Sequence, residues 1–378
     1  MAWNKITVMN QRKLFITSAT RDDANIRSLC HEYGISRGTA YKWLARYREG
    51  GTPALADRSR RPHQSPKTTA PDHVQAVLSL REHHPAWGAR KISACLRRDG
   101  MTPPAASTIT RILRRHGLID GTESQKHQAW KRFEHEKPND LWQMDFKGDV
   151  GMGSSRCHPL TVLDDHSRFN LGLVACANQQ TLTVRAALTS IFRSYGLPVR
   201  MTMDNGSPWG NTKENPYRAL TVWLMRLGIR ISHSRPYHPQ TQGKDERFHR
   251  TLKAEVLSRT HLNDLHDAQQ QFDRWRVIYN TERPHEALGM EVPAQRYRPS
   301  GLIFPEELLP IEYPDGAYIR SVQLDGAFHI SGRVAYVSKA FAGWKIALLP
   351  TEEDGIFDAY FCKNKIRTIN FNELLPSK

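Results

Sequence analysis

NDLWQMDFKGD, residues 139 to 149, alternates apolar and polar side chains over a span too short for a helix, so it reads as a strand. Its acid, Asp145, lies among the apolar Trp142, Met144 and Phe146, where an unpaired carboxylate would be costly to bury. Downstream, HPLTVLDD (158–165) and NLGLVACA (170–177) are strand-like. TLTVRAALTSIFRSYG (181–196) has the stripe of an amphipathic helix, and LPVRMTMDNG (197–206) is a further strand ending in an acid. Strands that run into helices and return to strands predict an α/β domain. A long helical stretch after Glu246 and the segment RWRVIYNTERPHEALGMEVPAQRY close this domain near residue 298.

The chain has 378 residues and a net charge of +16, from 54 Lys and Arg against 38 Asp and Glu. Residues 1 to 133 hold 24 of the bases and 10 of the acids, so +14 sits in the first third and only +2 in the rest. Such a gradient points to a polyanion bound through the N-terminal region. There is no run of eighteen apolar residues, and MAWNKITVMNQRKL lacks the apolar segment of a signal peptide, so the expectation is a cytoplasmic protein without a membrane span. Nucleic acid is therefore the expected partner. The five cysteines are scattered, odd in number and without a CxxC pair, which suits a reducing compartment and neither a disulfide framework nor a zinc finger.

Residues 21 to 50 carry Ile26, Leu29 and Cys30 at helical spacing, break at YGIS, and resume with Ala40, Trp43, Leu44 and Tyr47. This predicts a helix-turn-helix unit over 1–51, with Ser36 capping the second helix and Gly34 in the turn. Arg37, Thr39, Lys42 and Arg46 then project outward, as a recognition helix needs. Residues 52–71 contain four prolines with Arg58, Arg60 and Arg61, and read as a basic linker that either tracks phosphates or simply tethers. A second helix-turn-helix unit is predicted over 72–125, with Ile92, Cys95 and Leu96 on one stripe and Ile109, Ile112 and Leu113 on the next. Arg111, Arg114 and Arg115 decorate its second helix. Residues 312–378 alternate apolar and polar positions between glycines and predict a small β-barrel.

Asp145, Asp204 and Glu246 each sit at the edge of a predicted element of the α/β domain, and such sheets collect functional groups at strand ends. Converging carboxylates need cations, and hard divalent ions bind oxygen ligands. Two ions about 3.5–4 Å apart can hold the attacking and leaving oxygens of a phosphodiester. Taken alone, Asp204 in MDNGSP fits an Asx turn better than a catalytic role.

WQMDF, LTVLDDHSRF, MTMDNGSPW, SRPYHPQTQGKDERFHRTLK and YNTERPHEAL together resemble the catalytic core of the DDE transposases and retroviral integrases, specifically bacterial insertion-sequence transposases. The resemblance is strong over 135–298 and looser on either side. It implies a ribonuclease-H-like fold in a multidomain chain and a polynucleotidyl transferase, with Asp145, Asp204 and Glu246 holding two Mg²⁺ or Mn²⁺ ions. It also implies 3′-end cleavage and strand transfer of an insertion sequence, binding to its terminal inverted repeats and to target DNA, a homo-oligomer on DNA, and a bacterial, nucleoid-associated location. In one respect the chain departs from the retroviral pattern. The 41 residues between Asp204 and Glu246 are more than those enzymes have, and the excess falls at 208–220.

At about 100° per residue, Glu246, His249, Arg250 and Lys253 are assigned to one helix face and Asp245, Phe248, Leu252 and Val256 to an inward one. Glu246 is thus the expected ligand and Asp245 a first-turn acid answering the helix dipole. Lys244, Arg250 and Lys253 are expected to contact DNA phosphates. Asp164 and Asp165 are expected to shape a turn. Two rival readings remain: a DNA-binding regulator with an inactive core, and a two-metal nuclease that cuts without joining.

Overall fold

The structure, a computed structural model, describes residues 7–58, 68–119, 134–153, 155–204, 206–210, 217–233 and 243–373. It divides into two compact units, Met1–Thr68 and Thr69–Lys378.

Among its described residues the first unit has three α-helices: α1 (Val8–Ala19), α2 (Ile26–Glu32) and α3 (Arg37–Gly50). Thr7, Asn25 and Ser36 each accept a backbone N–H of the helix that follows, satisfying donors that have no intrahelical partner. Gly34, at φ 62°, makes the turn between α2 and α3 in the left-handed region. Phe15 and Ile16 of α1 close the core over Cys30, Ala40, Leu44 and Leu55. The helical pair expected from the sequence is present, and α1 is an addition to it.

The second unit opens with α4 (Pro71–His83), α5 (Ala89–Arg98) and α6 (Ala106–Arg115). Pro71 starts α4, where its missing N–H removes nothing. Val77, Trp87, Ile92, Cys95, Leu96, Ile109, Ile112 and Leu113 form the core of this bundle, and Ile278 from farther along the chain packs against it.

The central sheet is built from β1 (Trp142–Phe146), β2 (Val150–Met152), β3 (Ser155–Asp164), β4 (Asn170–Cys176), β5 (Arg200–Met203) and β6 (Arg230–His233). β4, β3 and β1 are antiparallel, β1, β5 and β6 are parallel, and β2 pairs the first half of β3. The parallel strands need crossovers, supplied by α7 (Thr181–Tyr195) and α8 (Ala219–Arg226). Val184, Leu188, Phe192, Leu220, Trp223 and Leu224 of these helices pack with Trp142, Met144, Leu160, Val162, Met201 and Met203. Gly172 of β4 permits close approach, since an added Cβ would collide with Ile191 of α7. A second apolar cluster joins α9 (Gly243–Leu252) and α10 (Leu265–Val277) to the sheet strands. Phe248, Leu252, Phe272 and Trp275 meet Met152, Cys157, Leu163 and Leu173 there. Both helices end in a widened turn, seen in the Ser258 N–H to Lys253 carbonyl and Arg283 N–H to Ile278 carbonyl bonds. This is the ribonuclease-H-like arrangement expected for the middle of the chain.

The C-terminal region is not a closed barrel. β7 (Tyr318–Ser321), β10 (Lys345–Pro350), β11 (Ile356–Phe361) and β12 (Asn364–Asn370) form an open antiparallel sheet in the order β12-β11-β10-β7. β8 (Ala327–Ile330) and β9 (Arg333–Tyr336) pair only with each other among the described residues. Closure needs the edge strands to pair with one another, and among the described residues β7 and β12 do not. Val222 and Met225 of α8 also contribute to the apolar cluster that contains Phe328, Phe341, Ile346 and Phe361. Asn364 bonds the β6 edge through the Ile231 N–H and the Ile229 carbonyl, acting there as a short surrogate strand.

Candidate active site

The parallel pairing of β1 with β5 sets Trp142 opposite Met201 and Gln143 opposite Thr202. Carrying that register forward sets Asp145 level with Asp204, on neighbouring strands that lie about 4.8 Å apart. Asp204 follows directly on β5, so the two acids stand near one another at the end of the sheet, close enough for the Asp204 charge to act on Asp145. Asp145 accepts the N–H of the next residue, Phe146, at 2.8 Å, and Asp204 accepts the Gly206 N–H at 2.9 Å in an Asx turn.

Burial, then the negative charge of Asp204, pushes the Asp145 carboxyl up to about 6, with Glu246 adding to the shift. The Phe146 N–H and Lys147 pull the other way. Burial also raises Asp204, against the Gly206 N–H and His233. Asp145 therefore feels both of the other acids named from the sequence. Carboxylates are hard oxygen donors of the kind a divalent cation takes. Among the described residues no three His, Cys, Asp or Glu side chains are arranged to hold a metal ion, so the acids form an electrostatic cluster and not a ready-made chelate.

Glu246 is exposed in the first turn of α9, as are Arg250 and, just past the helix, Lys253. His249, placed beside them by the helical wheel, is instead buried. Its Nε2 lies 2.9 Å from Thr161 Oγ1, and its Nδ1 is 3.9 Å from Asp145 Oδ2. Four residues at about 100° each bring a side chain back within about 40° of its start, so His249 shares the Asp245 face. Burial holds its imidazole down to about 4. Asp245 is 2% exposed and is not a solvated first-turn acid. Burial, then Asp145 and Asp165, raises its carboxyl well above the usual range, and Oδ1 finds no hydrogen-bond partner among the described residues.

Lys244, expected at a phosphate, is turned inward onto Asp165, to which its Nζ donates. Burial, then Arg168, lowers its ammonium. Asp164 accepts the Asn139 and Ser167 N–H groups, both at 2.7 Å, in the turn role expected of it. Asp165 does more than shape a turn, since it also accepts the His135 N–H and Gln143 Nε2.

In the N-terminal unit Arg37 and Lys42 are exposed on α3. Arg46 lies 4.8 Å and Arg12 4.0 Å from the centre of the Trp43 ring, so Trp43 is a platform for cations more than a core residue. Thr39 is half-buried, its hydroxyl 3.0 Å from that of Ser36, and serves the cap. Arg58 is exposed near Glu49; Arg60 and Arg61 lie outside the described residues. Arg111 and Arg114 stand exposed on α6. Thr161 was not legible as a neighbour of the acids, because its contact with His249 joins residues far apart in the chain.

Residues 135–239 and 227–293 match integrase core domain models, and 11–63 and 39–113 match a helix-turn-helix and a homeodomain-like domain. Residues 317–374 match the C-terminal domain of the IS481 family transposases. The chain is 27% identical over 236 residues to an uncharacterized 31.7 kDa protein of insertion element IS407 from Burkholderia multivorans, covering 60% of this chain and 82% of that one. It is 22% identical over 375 residues to a putative transposase of IS5376 from Geobacillus stearothermophilus, covering 94% and 88%. A solved HTLV-2 integrase catalytic core domain in complex with magnesium is 13% identical, with a TM-score of 0.34, over 43% of this chain and 99% of that one. The fold and the matched domains define an integrase-core protein with helix-turn-helix domains. Its relatives named above are proteins of bacterial insertion elements, one of them a putative transposase. Among the described residues no helix is long and apolar enough to cross a membrane.

Proposed function

We propose that this protein is a DNA transposase that cleaves the 3′ ends of an insertion sequence and joins them to target DNA, with Asp145, Asp204 and Glu246 as its acids. The observation that carries this reading is the placement of Asp145 in β1 beside Asp204 at the end of the adjacent parallel strand, with Asp145 raised by burial and then by the charges of Asp204 and Glu246. Divalent ions, Mg²⁺ or Mn²⁺, bound by these carboxylates would supply Lewis acidity toward a phosphodiester. Arg250 and Lys253, exposed beside Glu246, hold the DNA backbone against the acids. The exposed cations of α3 and α6 dock on duplex at the terminal inverted repeats, in line with the basic N-terminal third. Joining two element ends calls for more than one copy of the chain on DNA.

Labelled element-end duplex with Mg²⁺ tests the reading. The parent chain should give both nicked ends and strand-transfer products. Asp145→Asn, Asp204→Asn and Glu246→Gln should each lose both while still retarding the duplex. Cleaved products without joined ones would identify a nuclease, and retardation without any cleavage by the parent would identify a regulator.

A further inference from the structure

Lys244 lies two residues before Glu246 in the first turn of α9, and its charge is directed inward. Its Nζ donates to Asp165 Oδ1 and lies 3.3 Å from the Asp165 carbonyl oxygen. Asp165 is 1% exposed. The same Oδ1 accepts Gln143 Nε2 at 2.8 Å, and Oδ2 accepts the His135 N–H at 2.9 Å. The Asp165 N–H itself donates to the Leu141 carbonyl, so the carboxylate is moored to the start of β1 by its backbone as well. Gln143 lies two residues before Asp145 in β1. One buried carboxylate thus ties the acid-bearing strand to the acid-bearing helix, gripping each two residues ahead of its acid.

We propose that Lys244 is a positioning residue which, through Asp165 and Gln143, holds Glu246 in register with Asp145; this rests on the reading of Glu246 as a site acid. A buried ion pair is a weak source of net stability, and its best-attested use is to fix register. The bridge spans residues about eighty positions apart in sequence, so it constrains tertiary placement and not the helix itself. It also removes Lys244 from the cations available to phosphate: its side chain is 16% exposed and both of its hydrogen bonds go to Asp165.

The test is Mn²⁺ binding to the full chain, followed by the loss of the free-ion electron paramagnetic resonance signal, alongside duplex retardation without metal. Partners of ligating groups typically carry about 10–100-fold in ion affinity, so Lys244→Gln should weaken Mn²⁺ by at least about 10-fold. Duplex affinity should be unchanged, and Lys244→Arg should restore most of the ion affinity. Glu246→Gln is measured beside them. If that variant binds Mn²⁺ as the parent does, the functional reading fails. If it binds weakly and Lys244→Gln binds like the parent, the positioning role is overturned, as it is if Lys244→Gln loses duplex affinity with ion binding intact. Should Lys244→Gln fail to fold, Gln143→Met keeps the ion pair and breaks its link to β1. It should also weaken Mn²⁺, and parental binding in that variant would overturn the proposal.

Discussion

Thr161 Oγ1 donates to the Asp145 carbonyl at 2.9 Å and stands 2.9 Å from His249 Nε2. A hydroxyl has one proton; with that proton on the carbonyl, its oxygen is left to accept the Nε2–H. In that arrangement the Nε2–H tautomer of His249 completes the hydrogen bond. Thr161→Val removes the acceptor and leaves a buried N–H unpaired, which costs about 1–3 kcal/mol. Urea unfolding should show that loss with an unchanged slope, and an unaltered midpoint would mean that the hydroxyl is not holding the ring.

The Arg283–Glu255 pair should prove far more sensitive to single substitutions than to joint replacement. Arg283 Nε donates to Glu255 Oε1 at 3.0 Å and Trp275 Nε1 donates to Oε2 at 2.9 Å, with both charged side chains nearly covered. Arg283→Met strands the carboxylate and should cost about 3–5 kcal/mol, whereas Arg283→Met with Glu255→Leu should cost less than the two single changes summed. A double-mutant cycle by denaturant unfolding measures the coupling, and additive losses would count against it.

Asp245 gives a pH signature of definite sign. Its carboxyl is raised well above its ordinary 3.8, so between that value and its folded one the native chain holds a proton that the unfolded chain releases. Stability from this group is complete below 3.8 and declines as pH rises through that window, by up to about 1.4 kcal/mol per pH unit. Asp245→Asn removes the decline. Thermal unfolding from pH 4 upward should show the variant gaining on the parent, and Mg²⁺-dependent nicking should survive. Loss of nicking to the extent expected for Glu246→Gln would place Asp245 among the catalytic acids.

Arg111→Ala and Arg114→Ala should each weaken duplex binding for every sequence tested and each reduce the salt slope of log K by roughly one. Retardation over a series of salt concentrations measures that slope. An effect restricted to one base pair would instead mark base readout.

The central domain was legible because its determinants are local: alternation in WQMDF and RMTM, the stripe of α7, and acids where each strand stops. α1 buries only Phe15 and Ile16 of its twelve residues, which leaves almost no stripe to read. His249 lies about 40° from Asp245 and about 60° from Glu246 around the helix, too small a difference for the pattern alone to choose its face. Lys244 reads as a DNA cation in any window that omits Asp165, since only folding brings them together. Alternation in the last sixty residues revealed strands correctly, but whether a sheet closes depends on pairing between distant strands, which period cannot report.

Helix α8 serves two hydrophobic clusters at once, giving Leu220, Trp223 and Leu224 to one and Val222 and Met225 to the other. It works as a party wall. Excising the chain beyond residue 310 would strip one side of that wall to bare apolar surface, so a trimmed catalytic fragment should be sticky and short-lived unless Val222 and Met225 are rebuilt as polar residues.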